Sequence, residues 1–342
     1  YVKDAALLAR PFDLDALAFR DEPFAIADDV DIIGGAARAV FSASDDGKLV
    51  YMRGGSQGGQ TLAWLDRDGR RIDVLDRTEA RYDVAISPDG TRLAYTSSED
   101  LWVYDFARKT RRWVTFSEAA ARGPVWTPDG RTLIYRARGE RFLDLYAKAA
   151  DGSGESRLLV QSGADKITND VSPDGATLVY ADNDPEDGFD IMTLTLDPLG
   201  EPEPFLATPF NEERAEFSPD GRYLAYQSDE SGTDEVLVAS FPDQRVRVQV
   251  SSEGGLAPRW SDDGTELYFH SPRDEVMVAP VRISDAGIEI GTPEVLFELD
   301  VPAYGNYDVS GDRFLVETDV EPGDRPPLHL LLNWQELGRP AP

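Results

Sequence analysis

The sequence predicts an all-β chain, a β-propeller of four-stranded antiparallel blades, and two observations carry that prediction. One turn returns with its last glycines 43, 40, 45, 46 and 43 residues apart, and each return leads into period-two alternation of β-forming residues. The strong copies are Ser87-Pro88-Asp89-Gly90, Thr127-Pro128-Asp129-Gly130, Ser172-Pro173-Asp174-Gly175 and Ser218-Pro219-Asp220-Gly221, flanked by the weaker Ser44-Asp45-Asp46-Gly47 and Ser261-Asp262-Asp263-Gly264. Proline presets φ near −65°, aspartate hydrogen-bonds local backbone and glycine accepts the left-handed conformation, so each copy joins two strands in a tight hairpin.

The strand before each turn ends in a bulky apolar residue: Ile86, Trp126, Val171, Phe217 and Trp260, with Phe41 slightly further upstream of its turn. These side chains are expected between adjacent blades, where a sheet needs cover on both faces. The strand after the turn alternates, as in Leu93 and Tyr95, Leu133 and Tyr135, Leu178 and Tyr180, Leu224 and Tyr226, Leu267 and Phe269. Third strands read at residues 62–65, 101–104, 144–147, 190–194, 235–239 and 275–281. Fourth strands follow polar or Asp-Gly turns such as Asp68-Gly69 and Asp151-Gly152. Residues 36–300 thus hold six repeat blades. The ends read as one more: residues 6–12 and 23–27 resemble outer strands, residues 307–310, 314–317 and 328–334 resemble inner ones, and Ser310-Gly311-Asp312 is a contracted turn. Pairing 1–30 with 303–337 gives a composite closing blade, seven blades and a single domain over 1–342, with six or eight blades as the open alternatives.

With 342 residues, 41% of them hydrophobic, the chain can bury a large core, and radial repetition lets so long a sequence form one domain. No stretch approaches the roughly 18 consecutive apolar residues of a spanning helix, so direct membrane insertion of this chain is not expected. The start at Tyr1, without Met and almost inside a strand, reads as a mature or truncated piece of something longer. Zero cysteines exclude disulfides, thiolate chemistry and Cys-based zinc sites. A net charge of −30 argues against nucleic acid and anionic membranes as partners, because both need basic surface. Lysine is scarce, at positions 3, 48, 109, 148 and 166, which fits either a saline habitat or a GC-rich genome.

The repeated [ST]-P-D-G-x-x-L-x-Y unit resembles the PD40, or WD40-like, repeat of TolB-type β-propellers. Longer strings are similar to the C-terminal propeller region of bacterial eukaryotic-like serine/threonine protein kinases: residues 8–14 (LARPFDL), 62–69 (LAWLDRDG), 151–155 (DGSGE), 208–212 (TPFNE), 228–232 (SDESG) and 331–337 (LLNWQEL). That resemblance implies an extracytoplasmic propeller, tethered through a membrane helix to a kinase upstream of Tyr1. The chain itself has no glycine loop with strand lysine, no H-R-D loop and no D-F-G, so no kinase activity is expected of it. Related propellers occur in TolB and in prolyl-oligopeptidase-like serine peptidases. The peptidase reading calls for an α/β-hydrolase domain after Pro342, for which the chain leaves no room.

Four constellations could carry chemistry. Gly54-Gly55-Ser56-Gln57-Gly58 matches G-x-S-x-G but lacks the strand-to-helix elbow that exposes a nucleophile, and reads as a loop. His270 and His329 stand in different units without neighbouring ligands and read as structural. The acidic loop with Asp182, Asp184, Asp187 and Asp190 is a candidate Ca²⁺ site, although its spacing is not that of an EF-hand and a solvated hairpin is the plainer reading. Finally, Arg38, Arg81, Arg122, Lys166, Arg214 and Arg259 fall two to six residues ahead of successive turns, where a propeller chain enters its innermost strands. Together they are the candidate ligand-binding residues of the channel mouth, suited to an anionic ligand or a carboxylate-bearing peptide; the alternative is pairing with Asp83, Asp170, Glu213 and Glu216. The expectation is a non-enzymatic ligand- or protein-binding sensor or scaffold with no required cofactor, periplasmic or otherwise extracytoplasmic. A peptidase propeller and a TolB-type periplasmic adaptor are the alternatives.

Overall fold

A computed structural model describes residues 2–3, 6–13, 17–20, 23–27, 32–33, 38–39, 41–44, 48–52, 60–75, 82–97, 99–116, 119–184, 188–299, 307–319, 328–332 and 334. Among the described residues all regular structure longer than a turn is β-strand, and no helix is long and apolar enough to cross a membrane. In place of a single body, the chain separates into two compact units, Leu62–Thr318 and Tyr1–Thr61 with Asp319–Pro342.

In the larger unit, four consecutive repeats fold as four-stranded antiparallel sheets. Blade one comprises Tyr82–Ile86, Arg92–Ser97, Asp100–Asp105 and Thr110–Trp113; blade two Ala121–Trp126, Thr132–Arg138, Leu143–Ala149 and Arg157–Val160. Blade three comprises Asp165–Val171, Thr177–Asp184, Gly188–Thr195 and Glu203–Leu206; blade four Glu212–Phe217, Tyr223–Ser228, Glu235–Ser240 and Arg247–Gln249. Blade five has Leu256–Trp260, Glu266–His270 and the long strand Glu275–Ser284, whose two halves pair separately with Glu294–Glu298 and Gly287–Ile290. A sixth sheet is composite, in the order Tyr307–Ser310, Arg313–Asp319, Gln60–Leu65, Arg71–Val74. The first strand of each sheet packs on the first strand of the next, and Tyr307–Ser310 touches those of both blade five and blade one, so the series closes on itself.

The expected closing partners are therefore exchanged. Arg313–Asp319 pairs with Gln60–Leu65 and with Tyr307–Ser310, while Ala6–Ala9 pairs with Phe24–Ala27 and Val2–Lys3 inside the smaller unit. Leu328–Leu332 also belongs there, paired with Lys48–Met52, which in turn pairs with Phe41–Ala43. The weak repeat at Ser44–Gly47 is accordingly split, its outer strands completing a blade begun near the other end of the chain. Burial explains the exchange: Leu62, Trp64 and Leu315 pack with Leu93, Tyr95 and Tyr104 of blade one, whereas Leu7, Ala27, Leu49 and Tyr51 form a separate small core.

The recurrent turns do the chemistry that their sequence implies. In blade three, Ser172 Oγ donates to Asp174 Oδ1 at 2.6 Å, the Ala176 N–H donates to the same oxygen at 3.0 Å, and Gly175 closes the turn at φ 74°. The other strong copies and Ser261–Gly264 repeat the serine or threonine bond. Beyond Gly175 the nearest atom to an added Cβ is Pro128 Cδ at 3.8 Å, so the site has room and only the backbone objects. Gly175→Ala is expected to cost about 1–2 kcal/mol, the left-handed penalty alone, read as a lower midpoint in thermal melting. An unchanged midpoint would show that the turn tolerates a side chain.

The bulky residues before the turns insert against the preceding blade. Trp126 packs with Ala94 and Leu101 of blade one, Val171 with Ile134 and Leu145 of blade two, Phe217 with Val179 and Ile191 of blade three, and Trp260 with Ala225 and Val236 of blade four. Two of the tryptophans also donate their indole N–H to that blade's backbone, Trp126 to Ala85 O at 2.9 Å and Trp260 to Glu216 O at 3.2 Å.

Candidate functional site

The innermost strands surround a cavity of about 340 Å³ within the larger unit. One backbone irregularity shapes its wall. In all five intact blades the first strand slips register at the same place, between Tyr82 and Val84, Arg122 and Val125, Thr168 and Asp170, Glu213 and Glu216, and Leu256 and Arg259. Four of these bulges hold a left-handed residue: Asp83 (φ 49°), Gly123 (61°), Arg214 (57°) and Ala257 (50°). A bulge re-aims side chains, and non-glycine residues held at positive φ are strained positions of the kind that gather at binding sites.

The residues two before each turn form a second tier: Ala85, Val125, Asp170, Glu216, Arg259 and Asp308 line the cavity together. Its acids also join the blades. The Phe217 N–H donates to Asp170 Oδ2 at 2.9 Å, the Trp260 N–H to Glu216 Oε1 at 3.2 Å and the Ile86 N–H to Asp308 Oδ2 at 2.6 Å, each bond running from one blade to the next. An inner edge strand has unpaired backbone donors, and these carboxylates satisfy them. Arg259 sits among them, 3.3 Å from Glu216 and 3.9 Å from Asp308. Burial pushes the Asp170 carboxyl up to about 6 and the Glu216 carboxyl up to about 8, against the pull of Arg259, and it raises Asp308 and Glu213 as well.

Of the channel-mouth residues expected from register, Arg214 and Arg259 line this cavity. Arg122 instead turns outward, 4.0 Å from Glu99. Lys166 is fully buried, donating to Ser162 Oγ at 2.6 Å and Ala164 O at 2.5 Å, with Asp182 3.6 Å away, and so has a structural role. Arg38 lies on the strand Arg38–Ala39 of the smaller unit, and its side chain, like all of Arg81, is outside the described residues. The cavity adds Arg136, which register counting missed because it stands on the second strand of blade two, behind Gly123. A glycine in an inner strand, leaving the wall open to the residue behind it, was the available signal.

The candidate calcium loop is a hairpin in which Asp182 faces Asp190 and Asp184 faces Gly188; Asp187 lies outside the described residues. Regular pairing spreads these acids along two strands, and among the described residues no three His, Cys, Asp or Glu side chains gather as metal ligands. Ser56 and its glycines also lie outside the described residues. His270 is buried edge-on against Tyr307, ring centroids 4.2 Å apart, and burial pushes its imidazole down to about 3; His329 stacks on Tyr51 at 5.3 Å. Both serve packing.

The model of the TolB beta propeller domain family, PD40, matches residues 69–261, more than half of the chain. The chain belongs to the TolB β-propeller domain family. The TolB propeller seen here is similar to a structure described as TolB from Agrobacterium tumefaciens, with a TM-score of 0.64 and 21% identity, covering 78% of this chain and 100% of that one. It also resembles TolB from Acinetobacter baumannii, at TM-score 0.54 and 15% identity over 72% of this chain and 68% of that one. At these identities the likeness is one of fold. A curated relative, an uncharacterized peptidase named YuxL from Bacillus subtilis, is 30% identical over 119 residues, which are 31% of this chain and 17% of the relative. The chain therefore spans about a sixth of that relative's length.

Proposed function

We propose that this TolB propeller is a non-catalytic binding module whose central channel receives a protein segment or a small anionic ligand. The observation that carries the reading is the convergence of Arg136, Arg214 and Arg259, among the acids Asp83, Asp170, Glu213, Glu216 and Asp308, on one cavity beside bulges that repeat from blade to blade, in a chain of net charge −30. The kinase-like strings support a finer placement: the extracytoplasmic sensor portion of a membrane-tethered signalling kinase, binding in the channel and passing the signal on through association. Ile167 lines the channel and is only partly buried, so Ile167→Trp fills it without removing a charge. In a panel of small carboxylates and neutral analogues, ligand-induced thermal stabilisation is expected from carboxylates in the parent chain and is expected to vanish in Ile167→Trp. Equal stabilisation in both would place binding outside the channel.

The similarity to a peptidase supports a second reading, in which the propeller belongs to a serine hydrolase. Peptide and ester substrates are expected to remain unhydrolysed by this chain, and Ser56→Ala to change nothing. A robust hydrolysis lost in that variant would establish the enzyme instead.

A further inference from the structure

The wall shared by blades two, three and four carries Arg136, Asn169 and Arg214, and two of these hold a buried polar atom without a partner among the described residues. Arg136 is the cross-strand partner of Arg122, and its guanidinium lies behind the next inner-strand residue, Gly123: a Cβ there would meet Thr168 Oγ1 at 2.7 Å, Arg136 Nε at 3.6 Å and Cζ at 3.8 Å. Arg136 Nε is buried and has no acceptor among the described residues, and at the bulge of the neighbouring blade Asn169 Oδ1 is buried and has no donor among them. Both residues line the channel. Buried polar atoms are normally paired, so one orphan donor and one orphan acceptor on a single cavity describe a complement.

The charges around them are loosely committed. Arg67, by contrast, grips Glu266 with two bonds of 2.6 and 2.8 Å. Arg136 has one 3.4 Å contact to Asp83, whose carboxylate also accepts the Gly123 N–H at 3.1 Å, and Arg214 stands 4.0 Å from Glu213 in its left-handed conformation. Guanidinium groups held this way can exchange a distant carboxylate for a close bidentate one. The cavity, about 340 Å³, falls in the usual range of small-ligand sites, roughly 300–1,000 Å³.

Building on the channel-binding reading, we propose that this wall is a subsite for the free carboxyl terminus of a peptide. Its carboxylate lies against Arg136 and Arg214, and the N–H of its last residue donates to Asn169 Oδ1. A simple inorganic anion offers the first half of that match, an amidated peptide the second.

The test uses the intact chain labelled with ¹⁵N, following the Arg136 Nε–H signal at low salt during titration with N-acetyl-alanyl-alanine, its C-terminal amide and inorganic phosphate. The free acid is expected to shift that signal saturably, with the amide and phosphate each about tenfold weaker or worse, as expected when a charge-assisted pair or a buried partner is lost. Asn169→Ala is expected to weaken the acid and the amide and to leave phosphate unchanged, and Arg136→Gln, which removes the reporting signal, is read instead as loss of the thermal stabilisation that the acid gives the parent chain, with melts without ligand confirming that each variant is folded. The acid-amide comparison needs no variant. Equal binding of acid and amide, blocked by Ile167→Trp, would overturn the carboxylate subsite and leave the channel reading standing. Phosphate binding as tightly as the acid, or an acid that fails to saturate, would overturn the subsite too. Binding of all three that ignores Ile167→Trp would remove both.

Discussion

Replacing Phe314 with alanine is expected to destabilise the chain by about 3–5 kcal/mol, a large share of the roughly 5–15 kcal/mol that holds a typical domain folded. Phe314 is fully buried on the second strand of the composite blade, edge-on to Tyr268 at 5.0 Å and to Phe297 at 5.1 Å, both from blade five. It belongs to the core that joins the last repeat to the strands closing the series, with Tyr307, Val316 and Leu65. Losing its ring removes apolar burial, two aromatic contacts and the seal between sheets that are far apart in sequence. Guanidinium unfolding followed by tryptophan fluorescence should show a much lower midpoint with an unchanged slope. A loss below about 1 kcal/mol would mean that residues 307–319 are peripheral to the larger unit's stability.

Glu216→Gln is expected to leave stability near pH 5 almost unchanged and to raise it at pH 8.5. Burial lifts the folded-state pKa of Glu216 to about 8, above its ordinary value of 4.5, so the folded chain binds this proton more tightly than the unfolded chain does. Stability from this group is complete below the unfolded value and is lost as pH climbs through the folded one. Asp170, lifted by burial to about 6, adds a fall of the same sign over a lower window. The turn aspartates work the other way. Asp89 is held down at about 2 by the Ser87 hydroxyl, so its contribution is present above the ordinary carboxylate range and disappears in acid. A stability maximum in mildly acidic solution follows. Glutamine keeps an acceptor for the Trp260 N–H and cannot ionise, so the variant should lack roughly 1 kcal/mol or more of the decline between pH 5 and 8.5, one pKa unit being about 1.4 kcal/mol. Identical slopes for parent and variant would show that Glu216 is ionised throughout.

What the sequence made legible was whatever a short window contains. The Ser-Pro-Asp-Gly turns, the Leu-x-Tyr strands behind them and the bulky residues inserting against the previous blade all rest on neighbours a few positions apart, and they stand as read from Ile86 to Trp260. Partner choice rests on distant burial instead. Residues 41–52 and 307–319 carry the same kind of strand pattern, and nothing local says that Leu315 meets Leu62 rather than Ile26. The channel obeyed the same division. Arg214 and Arg259 were found by register, whereas Arg136 reaches the cavity through the gap at Gly123, and Arg122, one residue earlier, turns to Glu99. A bulge reverses which side a residue faces, and period-two counting cannot see one.

The composite sheet also sets a schedule for biosynthesis. Gln60–Leu65 is made before blade one, but the strand that pairs with its inner edge, Arg313–Asp319, is made some 250 residues later. At about 5–20 residues per second that is a wait of roughly 12–50 s, during which blade one can cover Leu62 and Trp64 with Leu93, Tyr95 and Tyr104 while Leu315 and its strand are still missing. A nascent chain in this position exposes an unpaired β-edge, a target for chaperones and for pairing with a second nascent chain on the same message. Codon usage that hurries or delays the last hundred residues should therefore change the yield of folded protein more than the same change made within blades two to four.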